Sequence, residues 1–566
     1  MQQASIVQRS ETLDAPIAQD YEHVLERRRP REYSQLAYWY NPVNGIVILP
    51  DGTKVTLQKN TPLTVLLDKI EEHVKRKYHN KKAVLFLVAG RLIQNRVKNG
   101  LREEWFDVYH GWERKKLLWD KLYAEYEHNG FDIHLCGTGN YFGEELDIDA
   151  MREALNALEK RLEKVFNAEG CKLLGDTPAQ SGRELLIITI PKEQKYPRLP
   201  DDLLEMINHN FGQGRIETFS PKRETLENVW VLDARFMYAS CVSHLPVGPM
   251  YHDNRNKFLG VYRKDGKLAR DAMPGIYNVT VQVPEWHRHV GLLKSGRART
   301  IEESGYYPNT PGEVFTNWTT SAELANAFNH GWSEYIQINE RIVWPETDKI
   351  TDPLALWKRK LVDLREEIEQ ELMRHPDDKV LALQKDALRS ILLHTIGSFH
   401  RFATIETRFT PRDELPLLKN PHRGIAKWKR KNGVLGLEWP EAIPFSGKER
   451  QGFIRPEWSA IVWGRARASL AEFALRLKSD SIISLRTDSV WYADNPPEFI
   501  EREDTKRPGC FRVKESPEDI DLQYWPKNGA EMRAYVVNHH LNRGDNNALQ
   551  KEVENDELNR LARTGA

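Results

Sequence analysis

Val229-Trp230-Val231-Leu232-Asp233-Ala234-Arg235-Phe236-Met237-Tyr238 reads as an apolar strand that ends on an aspartate and runs into a short aromatic segment. A second strand pattern, far along the chain, does the same: Ile482-Ile483-Ser484-Leu485-Arg486-Thr487-Asp488-Ser489. A hard divalent cation needs anionic oxygens, and two such ions about 4 Å apart clamp the attacking and leaving oxygens of a phosphoryl transfer. Two strand-borne carboxylates from distant segments are the minimal equipment for that chemistry. An aspartate at a strand end is also an ordinary turn or cap residue, so the neighbouring residues must decide.

After Asp233 the chain continues through Tyr238 to Ser240 and then Leu245-Pro246-Val247-Gly248. An Asp followed five positions later by Tyr resembles motif A of the family B DNA polymerases. The trailing Leu-Pro-x-Gly is similar to their protein-primed branch, found in small phages and linear plasmids. Arg455-Pro456-Glu457-Trp458-Ser459-Ala460-Ile461, followed by Ser481 to Ser489, resembles the helix and hairpin that carry motif C. Between them, Lys385-Asp386-Ala387-Leu388-Arg389 running to Gly397 has the length of the fingers helix, motif B. Arg533-Ala534-Tyr535 looks like the Lys-x-Tyr motif that ends the palm, and Phe211-Gly212-Gln213-Gly214 like the Tyr-x-Gly-Gly linker that touches template.

The resemblance implies a multidomain α/β and α+β chain. It would be a right-hand polymerase with palm, fingers and small thumb, preceded by a degenerate ribonuclease H-like exonuclease domain. Asp233 and Asp488 would be the catalytic carboxylates. With the carbonyl of Ala234 they would hold two Mg2+ ions, Mn2+ serving as a substitute. Tyr238 would lie beneath the sugar of the incoming nucleotide, where a ring blocks a 2′-hydroxyl. Lys385 and Arg389 lie four apart on one helix face and would receive the triphosphate, Arg389 with a bidentate fork. Phe211, Gly212, Gly214, Arg533 and Tyr535 would contact DNA. Lys427, Lys429 and Arg430, in a run that includes Trp428, suit phosphate contact plus base stacking. The implied partners are primer-template DNA, deoxynucleoside triphosphates and a priming or accessory replication protein.

The departures from the family pattern are equally visible. Motif C reads Tyr-x-Asp-Thr-Asp-Ser in the family; here Ser484 replaces the Tyr and Arg486 the first Asp. Motif B carries Lys, Asn and Tyr where this chain has Arg389, Leu393 and Ile396, and the final Lys is Arg533. Arg for Lys keeps a cation but exchanges a point charge for a fork. An exonuclease would need Asp-x-Glu on its first strand, yet Asp20-Tyr21-Glu22 lies in a charged N-terminal stretch. Proofreading is therefore not expected.

The chain has 566 residues, enough for several domains, with 82 Lys plus Arg balanced by 82 Asp plus Glu. A nucleic-acid binder with zero net charge must segregate its charges locally, as it does at His422-Arg423 and Lys427 to Lys431. Cys136, Cys171, Cys241 and Cys510 show no paired spacing, which excludes a zinc ribbon or disulfide framework by pattern. No apolar run approaches the ~20 residues of a bilayer span, and the expected location is cytoplasmic, without membrane contact.

Composition shifts and motifs divide the chain as follows. Residues 1–42 are a charged arm and 43–204 the degenerate exonuclease-like domain. Residues 205–260 carry linker and motif A, and 261–350 resemble the insertion that binds a priming protein. Residues 351–404 are a fingers helical pair, 405–452 a hairpin insertion, 453–535 the palm with motif C, and 536–566 a small thumb or terminal helix. Glu184 to Ile190 reads as a strand, and Lys427 to Trp439 as a hairpin. Two other functions fit the departures: a catalytically silent, polymerase-like nucleic-acid-binding scaffold, and a primer-synthesising or untemplated nucleotidyltransferase.

Overall fold

The computed structural model describes residues 20–28, 36–59, 61–78, 82–88, 103–118, 122–143, 145–211, 214–219, 225–253, 275–295, 307–347, 350–400, 403–411, 427–431, 434–444, 453–500 and 509–521. The chain divides into two compact units, residues 26–194 with 353–398, and residues 1–25 with 195–352 and 399–566. Among the described residues no helix is long and apolar enough to cross a membrane.

The first described element is strand β1 (Asp20–Leu25), which carries the Asp-x-Glu sequence and belongs to the second of these units. The chain then builds the first unit around a seven-stranded sheet. The strands are β2 (Leu36–Asn41), β3 (Ile46–Ile48), β4 (Lys54–Thr56), β5 (Lys82–Leu87), β6 (Glu113–Leu118), β7 (Tyr123–His128) and β8 (Phe131–Gly137), in the order β4-β3-β2-β5-β8-β7-β6. β2, β5 and β8 run parallel and the outer pairs antiparallel. Parallel strands are covered on both faces and read as continuous apolar runs, as Ala83 to Leu87 does. On one face Leu63, Leu66, Leu67, Ile70 and Val74 of the helix Leu63–Lys77 meet Tyr38, Tyr40, Leu85 and Leu87. On the other, Trp39 stacks on Phe86 at 4.6 Å. The Asp51-Gly52 turn of the expected hairpin is present, with Gly52 at φ +90°.

Residues 36–41, expected within the charged arm, are thus a buried strand of this sheet. β2 presents Leu36, Ala37, Tyr38, Trp39, Tyr40 and Asn41, with no carboxylate. A second correction concerns Glu184 to Ile190. These residues lie in the helix Pro178–Thr189 and its C-terminal cap, not in a strand. Thr177 caps the helix by accepting from the Gln180 amide, and Pro178 sits at its first turn. Leu185 to Thr189 are all buried, so packing around the whole circumference overrides the β preference of Ile187, Ile188 and Thr189.

The expected helical pair, Ala355–Arg374 and Lys379–Ser398, completes this unit. Arg161 grips Glu371 with two hydrogen bonds of 2.9 and 2.6 Å, and Trp357 Nε1 donates to the carbonyl of Gly182 at 3.0 Å. Gly182 is the contact point of the crossing, because a Cβ there would lie 1.6 Å from Thr395 Oγ1 and 2.8 Å from its Cβ. Glycine to alanine inside a helix normally stabilises by about 1 kcal/mol. Here Gly182→Ala is expected to lower stability by about 1–3 kcal/mol through overpacking. Urea denaturation measures the sign.

The second unit opens with β9 (Tyr196–Arg198), the antiparallel partner of β1, and the helix Asp201–Asn210. Its central sheet has the order β10-β19-β20-β11-β21, all antiparallel: β10 (Ile216–Thr218), β11 (Thr225–Ala234), β19 (Ile482–Arg486), β20 (Ser489–Tyr492) and β21 (Phe511–Asp521). One face packs Leu232, Leu485, Val490 and Tyr492 against Leu470, Phe473 and Ala474 of the helix Pro456–Ala474. The segment between motifs A and B adds a four-stranded sheet of β12 (Tyr251–Asp253), β13 (Gly275–Gln282), β14 (Val314–Thr320) and β15 (Ile336–Val343), with the helix Ser321–Asn329. A three-stranded sheet follows, with β18 (Val434–Pro444) between β16 (Ala403–Pro411) and β17 (Lys427–Lys431), which includes the expected hairpin.

Candidate active site

The two aspartates that opened the sequence are neighbours in the central sheet of the second unit. Asp233 is paired with Ser489 across β11 and β20. Asp488 sits one residue earlier, in the two-residue turn between Arg486 and Ser489. The amide of Ala234 donates to the Asp488 carbonyl at 2.8 Å, so the end of motif A is bonded directly to the motif C turn. The turn is held by Thr487 at φ +52°, whose amide donates to the Arg215 carbonyl at 2.6 Å. Its hydroxyl donates to Asp488 Oδ1 at 2.9 Å and orients the carboxylate.

The register also decides which side chains share a face, since directly paired residues point to the same side. Leu232, Val490, Leu485 and Val513 turn toward the helix behind the sheet. Asp233, Ser489, Arg486, Trp491 and Arg512 therefore share the opposite face. Arg512 on β21 is directly opposite Asp233 on one side, and Arg486 lies beyond Ser489 on the other. Arg486 is 6% exposed, with its guanidinium 3.2 Å from the centre of the Trp491 ring. The position that holds a carboxylate in the resembling family holds a buried, permanently charged cation here. Nothing in the sequence signalled Arg512, because only the pairing of β21 with β11 brings it to Asp233.

Tyr238 also reaches this place. Phe236, at φ +51°, turns the chain out of β11 into the short helix Met237–Cys241. The Tyr238 hydroxyl lies where a Cβ on Gly214 would come within 2.6 Å, and the same Cβ would meet Thr487 Cγ2 at 2.9 Å. Only a glycine fits at 214. Burial pushes the Tyr238 phenol above its ordinary range, Asp488 pushes it further, and a hydrogen bond with Thr487 works against both. Behind the sheet lies a buried ion pair in which Arg467 donates to Glu323 at 2.7 and 3.0 Å. Burial alone would raise the Glu323 carboxyl, but Arg467 holds it below its usual range. Near this pair burial, with help from Arg467, brings the Lys294 amine down to about 8. Arg215 stacks over Tyr307 at 4.0 Å and pairs with Glu217. This polar layer was not legible beforehand, because its members come from five separate segments.

Other expected site residues fall elsewhere. Phe211 is 2% exposed and packs with Leu204, Ile207, Met250 and Trp344; its ring fills a core where the sequence suggested a template contact. Lys385 and Arg389 stand on the helix Lys379–Ser398 of the first unit, Lys385 half-buried and Arg389 exposed. Ile396 of the same helix is 2% exposed and belongs to its buried face. Lys427, Lys429 and Arg430 fall on β17, an edge strand, and their side chains lie outside the described residues. Gly212, Arg533, Tyr535 and the expected terminal helix of residues 536–566 also lie outside the described residues.

Residues 146–353 match the family described as DNA polymerase type B, organellar and viral. Among solved structures the chain is similar to the orthorhombic crystal form of Phi29 DNA polymerase, with 13% identity over 86% of this chain and 85% of that one, at a TM-score of 0.50. The Phi29 polymerase complexed with primer-template DNA and incoming nucleotide substrates matches with 14% identity over 86% and 85%, at a TM-score of 0.49. No curated protein sequence matches significantly. Residues 146–353, which span motif A, thus carry the segment matched by the type B, organellar and viral DNA polymerase family, within a chain whose fold is similar to that of Phi29 DNA polymerase.

Proposed function

We propose that the chain extends a primer 3′-hydroxyl with deoxynucleotides in a template-directed reaction, without 3′→5′ proofreading. The observation that carries this reading is the direct bond between the ends of motifs A and C, which sets Asp233 and Asp488 side by side. Two adjacent carboxylates fit a hard divalent cation. They would hold Mg2+ or Mn2+, with the Ala234 carbonyl as a further oxygen. When bound, the metal supplies charge neutralisation at the phosphates and a lowered pKa for the attacking hydroxyl.

The chain's own residues do the rest. Thr487 fixes the Asp488 carboxylate by its hydroxyl. Tyr238, whose hydroxyl bonds with Thr487 and fills the space that the absent Gly214 side chain leaves, would bar a 2′-hydroxyl with its ring. Lys385 and Arg389 would receive the triphosphate, Gly214 would line the template path, and Arg533 and Tyr535 would grip the primer strand. Primer-template DNA and deoxynucleoside triphosphates, which accompany the Phi29 enzyme in its ternary complex, are the partners proposed for this chain, with a priming or accessory protein besides.

A primed template, deoxynucleotides and Mg2+ test the reading with purified protein. Templated extension supports it. Binding without extension selects a silent scaffold, and template-independent product selects an untemplated transferase.

The proposed absence of proofreading rests on β2, the first strand in chain order of the seven-stranded sheet, which carries no acid, while Asp20-Tyr21-Glu22, on a strand rather than in an irregular arm, pairs with β9 outside that sheet. It rests also on Asp147, a helix cap that accepts from Ala150 at 3.1 Å and pairs with Lys379 at 3.2 Å. A mismatched primer end is expected to stay intact with Mg2+ and no nucleotides. Degradation that vanishes on replacing Asp132 or Asp147 contradicts this.

A further inference from the structure

The place of Tyr238 is set by the elements that hold the short helix Met237–Cys241. Arg465, on the helix Pro456–Ala474, ties down the end of that short helix by donating to the carbonyls of Cys241 at 3.1 Å, His244 at 3.0 Å and Ser243. Two residues further on, Arg467 is 4% exposed, and the field of its guanidinium reaches the Tyr238 phenol. Glu323 supplies the opposite charge. It is 2% exposed and takes the Arg467 fork at 2.7 and 3.0 Å. Its carboxylate is itself fixed, since Thr320 donates to it with hydroxyl and amide at 2.8 and 3.3 Å and closes the capping box of the helix Ser321–Asn329. Gly464 lets the two helices meet, because a Cβ there would lie 2.7 Å from Thr320 Cβ. Lys294 and Tyr307 also lie within the field of this pair.

From this arrangement we infer that Glu323 is a specificity-determining residue: by holding Arg467 it keeps Tyr238 where its ring bars a 2′-hydroxyl. The inference rests on the polymerase reading given above and on the role that Tyr238 has in it. Glu323 comes from the segment between motifs A and B, outside every motif quoted from the sequence. Neither it nor Arg467 would touch the nucleotide, so both are positioning residues. A buried ion pair that loses one partner leaves an uncompensated charge, which is strongly unfavourable. Without the Glu323 charge, the Arg467 guanidinium keeps Lys294 as a like-charged neighbour and has the Tyr307 and Tyr238 hydroxyls as acceptors within its field. Tyr307 is already covered by the Arg215 guanidinium at 4.0 Å. Tyr238 is the one joined to the site, through its hydrogen bond with Thr487. A ring drawn toward Arg467 opens the space that a 2′-hydroxyl needs, and a shift of about 1 Å is enough to change a rate by about a hundredfold.

The test is the ratio of kcat/KM for ribonucleotide and deoxynucleotide in primer extension by the full chain, with urea denaturation to show that each variant folds. Glu323→Gln keeps the shape and the helix cap but removes the charge. It is expected to shift the ratio toward ribonucleotide by at least about tenfold, with deoxynucleotide use changing far less. Glu323→Asp keeps the charge on a shorter side chain and is expected to shift the ratio in the same direction; should Glu323→Gln fail to fold, Glu323→Asp decides. Adding Arg467→Met to Glu323→Gln removes the released cation and is expected to restore selectivity, since a buried ion pair replaced as a whole is often tolerated. In a Tyr238→Ala background Glu323→Gln is expected to add nothing. An unchanged ratio in the Glu323 variants overturns the inference, as does a loss that falls equally on both sugars. So does a shift that persists with Arg467→Met or that adds to the effect of Tyr238→Ala. Absence of templated extension by the unaltered chain sinks the polymerase reading, whereas an unchanged ratio in Tyr238→Ala alone sinks only the role of Tyr238; the inference falls with either.

Discussion

Asp233→Ala and Asp488→Ala are each expected to abolish nucleotide incorporation while primer-template binding survives. The backbone that carries the two acids does not depend on their side chains. The Ala234 amide bonds to the carbonyl of residue 488, and the turn is held through the Thr487 amide and the Arg215 carbonyl. Alanine at either position therefore leaves sheet and hairpin in place and removes only an anionic oxygen pair. Loss of a group that stabilises charge in the transition state costs about 3–4 kcal/mol where a single neutral donor is lost. A metal-bridging carboxylate should cost more, at least about a thousandfold in rate. Primer extension under single-turnover conditions gives the rate, and fluorescence anisotropy with labelled primer-template gives the binding. Full extension by either variant contradicts the assignment of that acid.

Tyr238→Ala is expected to let ribonucleotides compete with deoxynucleotides more effectively by orders of magnitude. The ring is held where Gly214 has no side chain and where the Thr487 side chain closes the space, and Asp488 is close enough to push its phenol upward. A steric block of this kind acts on one atom of the substrate, so deoxynucleotide use should change far less than ribonucleotide use. The ratio of kcat/KM for the two sugars measures it. Tyr238→Phe keeps the ring and should keep the selectivity. An unchanged ratio in Tyr238→Ala would make Tyr238 a packing residue for the motif C turn.

The strands that end at Asp233 and lead into Asp488, and their meeting in one sheet, were legible because each lies in a short, locally ordered signature: an apolar strand, an Asp, and a fixed spacing. The same holds for the helical pair at 355–398, where apolar periodicity and the His375-Pro376-Asp377-Asp378 break mark both ends. What failed was of another kind. Glu184 to Ile190 reads as a strand by residue type and is a helix by burial, because a fully surrounded helix needs no polar face. Leu36 to Asn41 was hidden beside a charged arm, and only pairing with β5 makes it a strand of the sheet. Phe211 sits in a motif that touches DNA in the resembling family, yet here its neighbours enclose it. Arg512, Glu323 and Arg467 escaped altogether, since long-range pairing places them and no spacing along the chain encodes that.

The crossing at Gly182 bears on how far this protein could be shortened. The helix that carries Lys385 and Arg389 is threaded by Thr395 against the helix Pro178–Thr189, and its companion is tied to Gly182 and Arg161. Those partners all belong to residues 26–194, in the same compact unit as the helical pair. A minimal enzyme cut to begin near residue 195 would keep every motif that the sequence advertises. It would also strip the helix Lys379–Ser398 of the wall it packs against. Whatever else residues 26–194 do, they are the brace against which this helical pair is built, and a cut between them would leave the pair's apolar faces bare.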